Sequence, residues 1–272
     1  MRPLVVVLAL CTTGAVAVAG PRDFLIEHAG SGGTQQQAAP FVAKFLRYAE
    51  TALGWPANSV SGDFFSEPAD AIAALAAKKP GLGMLDPDQL LELRKKESIE
   101  ILASATGKNQ LGKLHVVVKD PAYKKLADLK GKTLVSNHLQ SARFLSKVVF
   151  DGKIDIKTHF GKLVEAPGML KGVKSVDRGE AEATLLSEEE LVALKGMAYP
   201  DLHVIWSSET LPPTAVVAFG KNAQAKDKAA FGKMLFKMCA DPQGAPVCKE
   251  LDIVKFTPPA DYDVAQKKFD RP

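Results

Sequence analysis

The sequence has 272 residues, of which 46% are hydrophobic and 24% charged, with a formal net charge of +4 at pH 7. This composition is typical of a folded globular protein and excludes a disordered or collagen-like chain. The lysines are scattered and do not form a basic patch interleaved with aromatic residues, so the charge does not indicate a nucleic-acid partner.

The N-terminal residues 1–19 have the pattern of a secretory signal. Arg2 supplies the positive charge, Leu4 to Leu10 is an apolar run, and Ala17-Val18-Ala19 is a small-x-small cleavage site. The apolar run is shorter than the ~20 residues of a membrane span. We expect cleavage after Ala19 and a periplasmic mature chain, long enough for two lobes of roughly 100–150 residues.

Short apolar strands then alternate with helices, which predicts an α/β fold with largely parallel sheets. The first helix is expected to begin after Thr34, with Gln37 completing a capping box, and to end at Gly54. The predicted strands are residues 23–28, 60–65, 81–85, 99–105, 113–118, 162–165, 183–186, 202–206 and 214–218. The later predicted helices are residues 67–77, 87–95, 141–150, 168–177, 188–195 and 223–238, then a second helix after Pro246 and an irregular tail.

Two cysteines remain after cleavage, Cys239 and Cys248. An even pair in an exported protein favours a disulfide, which would join two helices across a short turn. As metal ligands, the pair lacks the companions that a closed site requires.

The most informative segment is residues 126–142. It predicts a short helix that begins near Asp120-Pro121, a glycine turn, a buried strand and a polar loop that begins the next helix. A loop in that position carries free backbone N–H groups that can contact a ligand. Together with residues 71–86, 202–213 and 244–263, taken in order, this segment resembles the phosphonate-binding type of periplasmic solute-binding protein of ABC transporters, within the type II periplasmic binding protein superfamily.

The resemblance implies an α/β fold of two lobes, joined by hinge strands, with a ligand cleft between them. Residues 20–109 with 209–272 would form lobe one, and residues 110–208 lobe two. Loops at strand C-termini and helix N-termini would line the cleft. The implied protein is a non-enzymatic, monomeric carrier that passes a small molecule to an inner-membrane ABC permease.

The candidate ligand contacts follow from this resemblance and from the loop positions. In lobe one they are Ser31, Gly33, Thr34, Gln35, Phe64, Met84 and Asp86. In lobe two they are Asn137, His138, Gln140, Ser141, Pro167, Met169 and Glu182, the last as the family's acceptor for a ligand amino group.

The second-lobe loop departs from the family. Where the family presents Ser-Thr-Ser-Gly to the anionic head of its ligand, this chain has residues 139–142, Leu-Gln-Ser-Ala. Pro167 has no backbone donor, and Met169 offers an apolar surface. We therefore expect a ligand with substantial apolar surface, lipid-like or aromatic, or a modest organic anion.

Three alternatives stay open. The cleft could still bind a phosphonate or phosphate oxyanion, and the protein could be the ligand-sensing partner of a membrane receptor kinase. A secreted enzyme is the third, but the sequence has no Gly-x-Ser-x-Gly motif, and its five histidines are spread along the chain. The sequence thus predicts no catalytic residues, no metal site and no cofactor.

Overall fold

The structure, a computed structural model, describes residues 22–28, 34–107, 112–220 and 222–272. The signal segment and its cleavage site after Ala19 lie outside these residues, as do the candidate contacts Ser31 and Gly33. Within the described part of the chain, no helix is both long enough and apolar enough to span a membrane.

The strands follow the predicted order. They are β1 (Phe24–Glu27), β2 (Gly62–Phe65), β3 (Leu82–Leu85), β4 (Ile99–Gly107), β5 (Leu114–Val118), β6 (Thr133–Ser136), β7 (Lys162–Glu165), β8 (Ala183–Ser187), β9 (His203–Ser207), β10 (Thr214–Phe219) and β11 (Ile253–Thr257).

The α-helices are α1 (Gln35–Leu53), α2 (Pro68–Lys78), α3 (Pro87–Leu93), α4 (Ala142–Phe144), α5 (Ile156–His159), α6 (Met169–Asp177), α7 (Glu188–Lys195), α8 (Ala225–Met238), α9 (Ala245–Glu250) and α10 (Asp263–Phe269). A 3-10 turn covers Leu126–Leu129, and a π-helix, Leu145–Val149, continues α4.

The strands form two sheets. The first has the order β11-β4-β10-β3-β1-β2 and the second β7-β6-β8-β5-β9. We call the first sheet with its helices lobe one, and the second sheet with its helices lobe two. β1 is parallel to β2 and β3, and β6 is parallel to β7 and β8, whereas the other pairs are antiparallel. Each sheet is therefore mixed, and the prediction of largely parallel sheets is wrong. β10 re-enters lobe one between β3 and β4 and runs against both.

The chain crosses between the sheets after β4 and returns after β9. Leu211 N donates to Gly112 O at 2.7 Å, so the outgoing and returning segments are bonded to each other. Beside this bond, Ser208 N donates to Leu114 O at 2.9 Å, and Leu114 N donates to Ser208 Oγ at 3.0 Å. The two crossings thus form one paired connection.

The first helix has the ends that the sequence predicts. Thr34 accepts from Gln37 N, and the Gln37 side chain accepts from Thr34 N, which completes the capping box. Gly54 ends the helix with a φ of 63°, a conformation that glycine adopts without steric cost. Val42 and Phe45 on its apolar face are buried in the core of lobe one.

Two local predictions are wrong. The tail is ordered, because β11 pairs with the edge strand β4 and α10 follows it. Only Leu126–Leu129 is helical in the region of Asp120-Pro121. The predicted helix at 141–150 is present, as α4 and the π-helix that continues it, and the single turn of α5 was not predicted.

The C-terminal helix α10 contacts both lobes. Phe269 and Ala265 belong to a buried cluster with Phe144 and Val148 of lobe two, and Leu91 of α3 belongs to the same cluster. The Gln266 side chain also donates from Nε2 to Leu91 O at 3.3 Å. The helix is thus a packed link between the lobes, in addition to the paired crossing segments.

The predicted disulfide between Cys239 and Cys248 is present in the structure and joins the end of α8 to α9. Nine positions separate the two cysteines. Closing a loop of this size restricts the unfolded chain, and reduction is expected to lower the free energy of unfolding by about 2–3 kcal/mol. Urea denaturation of the oxidised and dithiothreitol-reduced wild type measures this difference, and coincident curves would contradict it.

Candidate functional site

The carboxyl ends of β1 and β3 place a polar cluster at the edge of lobe one. His28 Nδ1 lies 2.7 Å from Asp86 Oδ2, and Thr214 Oγ1 donates to Asp86 Oδ1 at 2.8 Å. The buried carboxylate of Glu27 accepts from Asp86 N at 3.1 Å. The charge of Asp86 raises the pKa of His28, against the opposing effect of burial. This edge therefore carries two buried carboxylic side chains beside one histidine.

A cavity of about 230 Å³ opens beside this cluster. Its apolar walls include Ile26, Phe41, Phe45, Phe64, Met84 and Leu251. The polar residues of the lining are Glu27, His28, Asp86, Thr214, Glu250 and Asp252. No lysine or arginine lines the cavity among the residues that the structure describes. The structure thus brings together three sequence-predicted residues, Phe64, Met84 and Asp86, in a space that is mostly apolar.

Thr34 and Gln35 lie at the start of α1, where both are exposed. The Thr34 hydroxyl is the helix cap, and Gln35 Nε2 donates to Asp63 Oδ1 at 2.8 Å. Gln35 lines a neighbouring cavity with Phe64. Both polar side chains therefore have local hydrogen-bond partners at the rim of lobe one.

The carboxyl end of β6 presents Asn137 and His138, which both bond to one residue, Glu190. Asn137 Nδ2 donates to Glu190 Oε1 at 3.0 Å, and His138 Nε2 lies 2.7 Å from Glu190 Oε2. Burial alone would raise the pKa of Glu190, but the hydrogen bonds from His138, Ser187 and Asn137, with the charge of His138, lower it.

Sequence reasoning missed Glu190. The available signal was the capping box that Ser187 and Glu190 form at the start of α7, directly after β8. A strand end followed by such a box places a carboxylate at the same sheet edge as Asn137.

Gln140 and Ser141 lie in the loop between β6 and α4. Gln140 Nε2 donates to Asn137 O at 2.9 Å and to Glu165 Oε1 at 2.8 Å, and Ser141 Oγ caps α4. Both residues line a groove of about 530 Å³ whose opposite wall is made by α2 and α3 of lobe one, including Gln89. The structure therefore confirms that side chains from both lobes meet across one groove.

The other predicted contacts in lobe two, Glu182, Pro167 and Met169, do not lie beside the loop that follows β6. Glu182 Oε2 accepts from Thr133 N at 2.8 Å, which places Glu182 at the start of β6, roughly 13 Å along the strand from Asn137. Pro167 is exposed before α6. Met169 packs against a small core of lobe two that contains Val173. Among the described residues, no group of three or more His, Cys, Asp or Glu side chains is arranged to hold a metal ion.

Comparison with known families identifies the class of protein. The family described as ABC transporter, phosphonate, periplasmic substrate-binding protein matches residues 33–264. The chain belongs to this family. Members of this phosphonate-binding family are periplasmic proteins that bind small molecules and work with ABC permeases. No curated protein matches the chain.

Solved structures support the same fold at low sequence identity. XAC2383 from Xanthomonas citri, solved bound to ATP, has a TM-score of 0.72 and 13% identity, covering 92% of this chain and 98% of that one. The binding-protein component of an ABC phosphonate transporter from Pseudomonas aeruginosa has a TM-score of 0.65 and 18% identity, covering 92% and 88%. PhnD1 from Prochlorococcus marinus, solved with methylphosphonate, has a TM-score of 0.66 and 14% identity, covering 92% and 95%. The chain therefore has the two-lobed α/β fold of a type II periplasmic binding protein.

Proposed function

We propose that this phosphonate-binding family member captures a small molecule with substantial apolar surface and delivers it to an inner-membrane ABC permease. The mature protein, cleaved after Ala19, acts as a monomer in the periplasm. Its lobes, residues 20–109 with 209–272 and residues 110–208, close over the ligand by rotating about the paired crossing segments.

The observation that carries the proposal is the apolar cavity beside Asp86. A phosphonate dianion needs several charge-assisted donors. The described lining of this cavity contains no lysine or arginine, the histidine in that lining, His28, is already paired with Asp86 at 2.7 Å, and Glu27 and Asp86 add buried carboxylic side chains. An aromatic body that buries roughly 150 Å² of apolar surface there would gain about 4 kcal/mol.

Oxyanion binding is the second candidate. The groove between the lobes is lined by Ser141, Arg143 and Lys157, which offer one hydroxyl and two cations. Asp88, Glu92 and Glu165 line the same groove, so cations and carboxylic side chains are mixed along its walls. PhnD1 in complex with methylphosphonate shows that this fold can take such a ligand.

A ligand panel separates the two candidates. We expect 1-methylnaphthalene to raise the melting temperature of the protein in proportion to its occupancy, and methylphosphonate and ATP to leave it unchanged. Tight binding of methylphosphonate with no response to 1-methylnaphthalene would overturn the proposal in favour of an oxyanion carrier.

A matched pair of substitutions places the binding site. Phe41 lines the cavity and is 42% exposed, whereas Phe236 on α8 is 43% exposed and does not line it. Phe41→Ser is expected to weaken 1-methylnaphthalene binding about tenfold, because a contact of roughly 50 Å² is lost. Titration calorimetry measures both variants, and Phe236→Ser serves as the control. Equal affinities in the two variants would place the apolar ligand elsewhere.

A further inference from the structure

The apolar cavity of lobe one has more carboxylic than basic side chains in its lining. The carboxylic members are Glu27, Asp86, Glu250 and Asp252. The basic member among the described lining residues is His28, whose Nδ1 lies 2.7 Å from Asp86 Oδ2. Charges interact more strongly beside apolar walls than in water, so this lining favours an occupant that carries positive charge.

The bond to His28 does not cancel the charge of Asp86 at the neighbouring residue Asp88. Burial is the main cause that raises the pKa of Asp88 to about 6. The charge of Asp86 also raises this pKa, and it does so by more than the charge of His28 lowers it. Asp86 therefore keeps a negative potential at this edge of lobe one, which a cation would relieve.

The exposed rim of the cavity is acidic as well. Glu250 and Asp252 line the cavity and are exposed to solvent, as is Phe41. Lys44 Nζ donates to the two carboxylate oxygens of Glu250 at 2.7 and 2.9 Å, so Lys44 offsets the charge of Glu250. Asp252 adds a second carboxylate at the same rim. A cation that approaches from solvent is attracted by acidic groups in this position.

Phenylalanine rings supply the second kind of contact that an organic cation uses. Phe41 and Phe45 lie four residues apart on α1, which places them on one face of the helix. Phe64 lies on β2, in register with Ile26 of β1. All three rings line the cavity. The face of an aromatic ring attracts a cation, and the attraction is stronger where water is excluded.

We propose that the apolar ligand of this cavity is an organic cation, whose ammonium group lies among the carboxylic side chains and phenylalanine rings of the lining. This inference rests on the proposed function, because it adds a positive charge to the apolar ligand proposed there. Every side chain that it uses lines this one cavity. It selects against neutral and anionic molecules of the same shape.

Three probes that share a phenyl ring and a tetrahedral head test the charge. They are phenyltrimethylammonium, tert-butylbenzene and phenylphosphonate, which are cationic, neutral and anionic at neutral pH. Each is titrated calorimetrically into the full mature chain. We expect phenyltrimethylammonium to bind about tenfold more tightly than tert-butylbenzene, because carboxylates and aromatic rings attract its head. Phenylphosphonate should not bind measurably.

Substitution of Asp86 tests the contact. Asp86→Asn keeps the shape of the side chain and removes its charge, so it should remove most of the preference for phenyltrimethylammonium over tert-butylbenzene. The affinity for tert-butylbenzene should stay within about twofold of wild type, because this neutral probe makes no charge interaction. Asp263→Asn makes the same change at an exposed position of α10 that does not line the cavity, and it should keep the preference.

A second variant lies at the rim and is chosen to leave the fold intact. Asp252 is exposed and has a φ of 53°, a left-handed conformation that asparagine also adopts readily. Asp252→Asn should lower the preference for phenyltrimethylammonium about threefold, a smaller effect than at Asp86 because the rim is solvated. Melting curves of both variants without ligand check that they are folded.

The outcomes separate this inference from the function on which it rests. If wild type binds tert-butylbenzene as tightly as phenyltrimethylammonium, or if Asp86→Asn and Asp252→Asn both keep the preference, the inference of a cationic ligand is overturned alone. If phenylphosphonate binds and the other two probes do not, the proposed function fails and the inference fails with it.

Discussion

Phe269→Ala is expected to lower the free energy of unfolding by about 3–5 kcal/mol, the range for truncating a buried phenylalanine. Phe269, in α10, is 1% exposed and packs in the cluster that contains Phe144 of lobe two and Leu91 of lobe one. The cationic groups of Lys95 and Arg143 lie 5.0 and 5.1 Å from the ring. The substitution removes all of these contacts and leaves a cavity where the two lobes meet.

The same helix provides the control for this prediction. Val264 is 56% exposed, and Val264→Ala should change the free energy of unfolding by less than about 0.5 kcal/mol. Urea denaturation followed by circular dichroism compares both variants with wild type. A loss of under about 1 kcal/mol in Phe269→Ala would show that α10 is not a firm link between the lobes.

Asp88→Asn is expected to stabilise the protein at pH 8 by about 2–3 kcal/mol and to have little effect at pH 4. Burial, with the nearby charge of Asp86, raises the pKa of Asp88 to about 6. The folded state therefore holds the Asp88 proton more tightly than the unfolded state, in which this pKa is about 4. The wild type loses stability as the pH rises from about 4 to 6, and the penalty then stays constant. Asparagine cannot ionise and avoids the penalty.

Denaturation at each pH from 4 to 8 measures this effect. Asp70→Asn makes the same change in the first turn of α2, where the side chain is exposed, and should shift stability by about 0.5 kcal/mol or less at every pH. If Asp88→Asn gained no stability relative to wild type between pH 4 and pH 8, then Asp88 would be solvated rather than buried against Asp86.

Most of the order of strands and helices was predictable from local sequence patterns. Apolar periodicity and short cap signals act within one or two helical turns, so the ends of α1 at Thr34 and Gly54 could be read from the chain. The sequence did not predict β11 and α10, because each of them is stabilised by residues that are distant along the chain. β11 is a short edge strand with an irregular burial pattern, and α10 buries Phe269 against residues far away in the sequence.

The candidate site residues can likewise be separated into those that the sequence could predict and those that it could not. Phe64, Met84 and Asp86 were predictable because they lie at or near the carboxyl ends of neighbouring strands, which share one edge of the sheet. Glu182 was proposed as a ligand contact because of the family resemblance. It precedes β8, however, and therefore lies at the edge of its sheet opposite to Asn137. Glu190 was missed because its bonds to Asn137 and His138 join two strand ends that lie far apart in the sequence.

The paired crossing segments and α10 together couple the unfolding of the two lobes. Leu211, between β9 and β10, shares a cluster with Phe269, Leu91 and the helices of lobe two. Separation of the two lobes would therefore expose apolar surface on both sides of this shared cluster. Heat should therefore melt both halves in one cooperative transition, although each half has a sheet of its own.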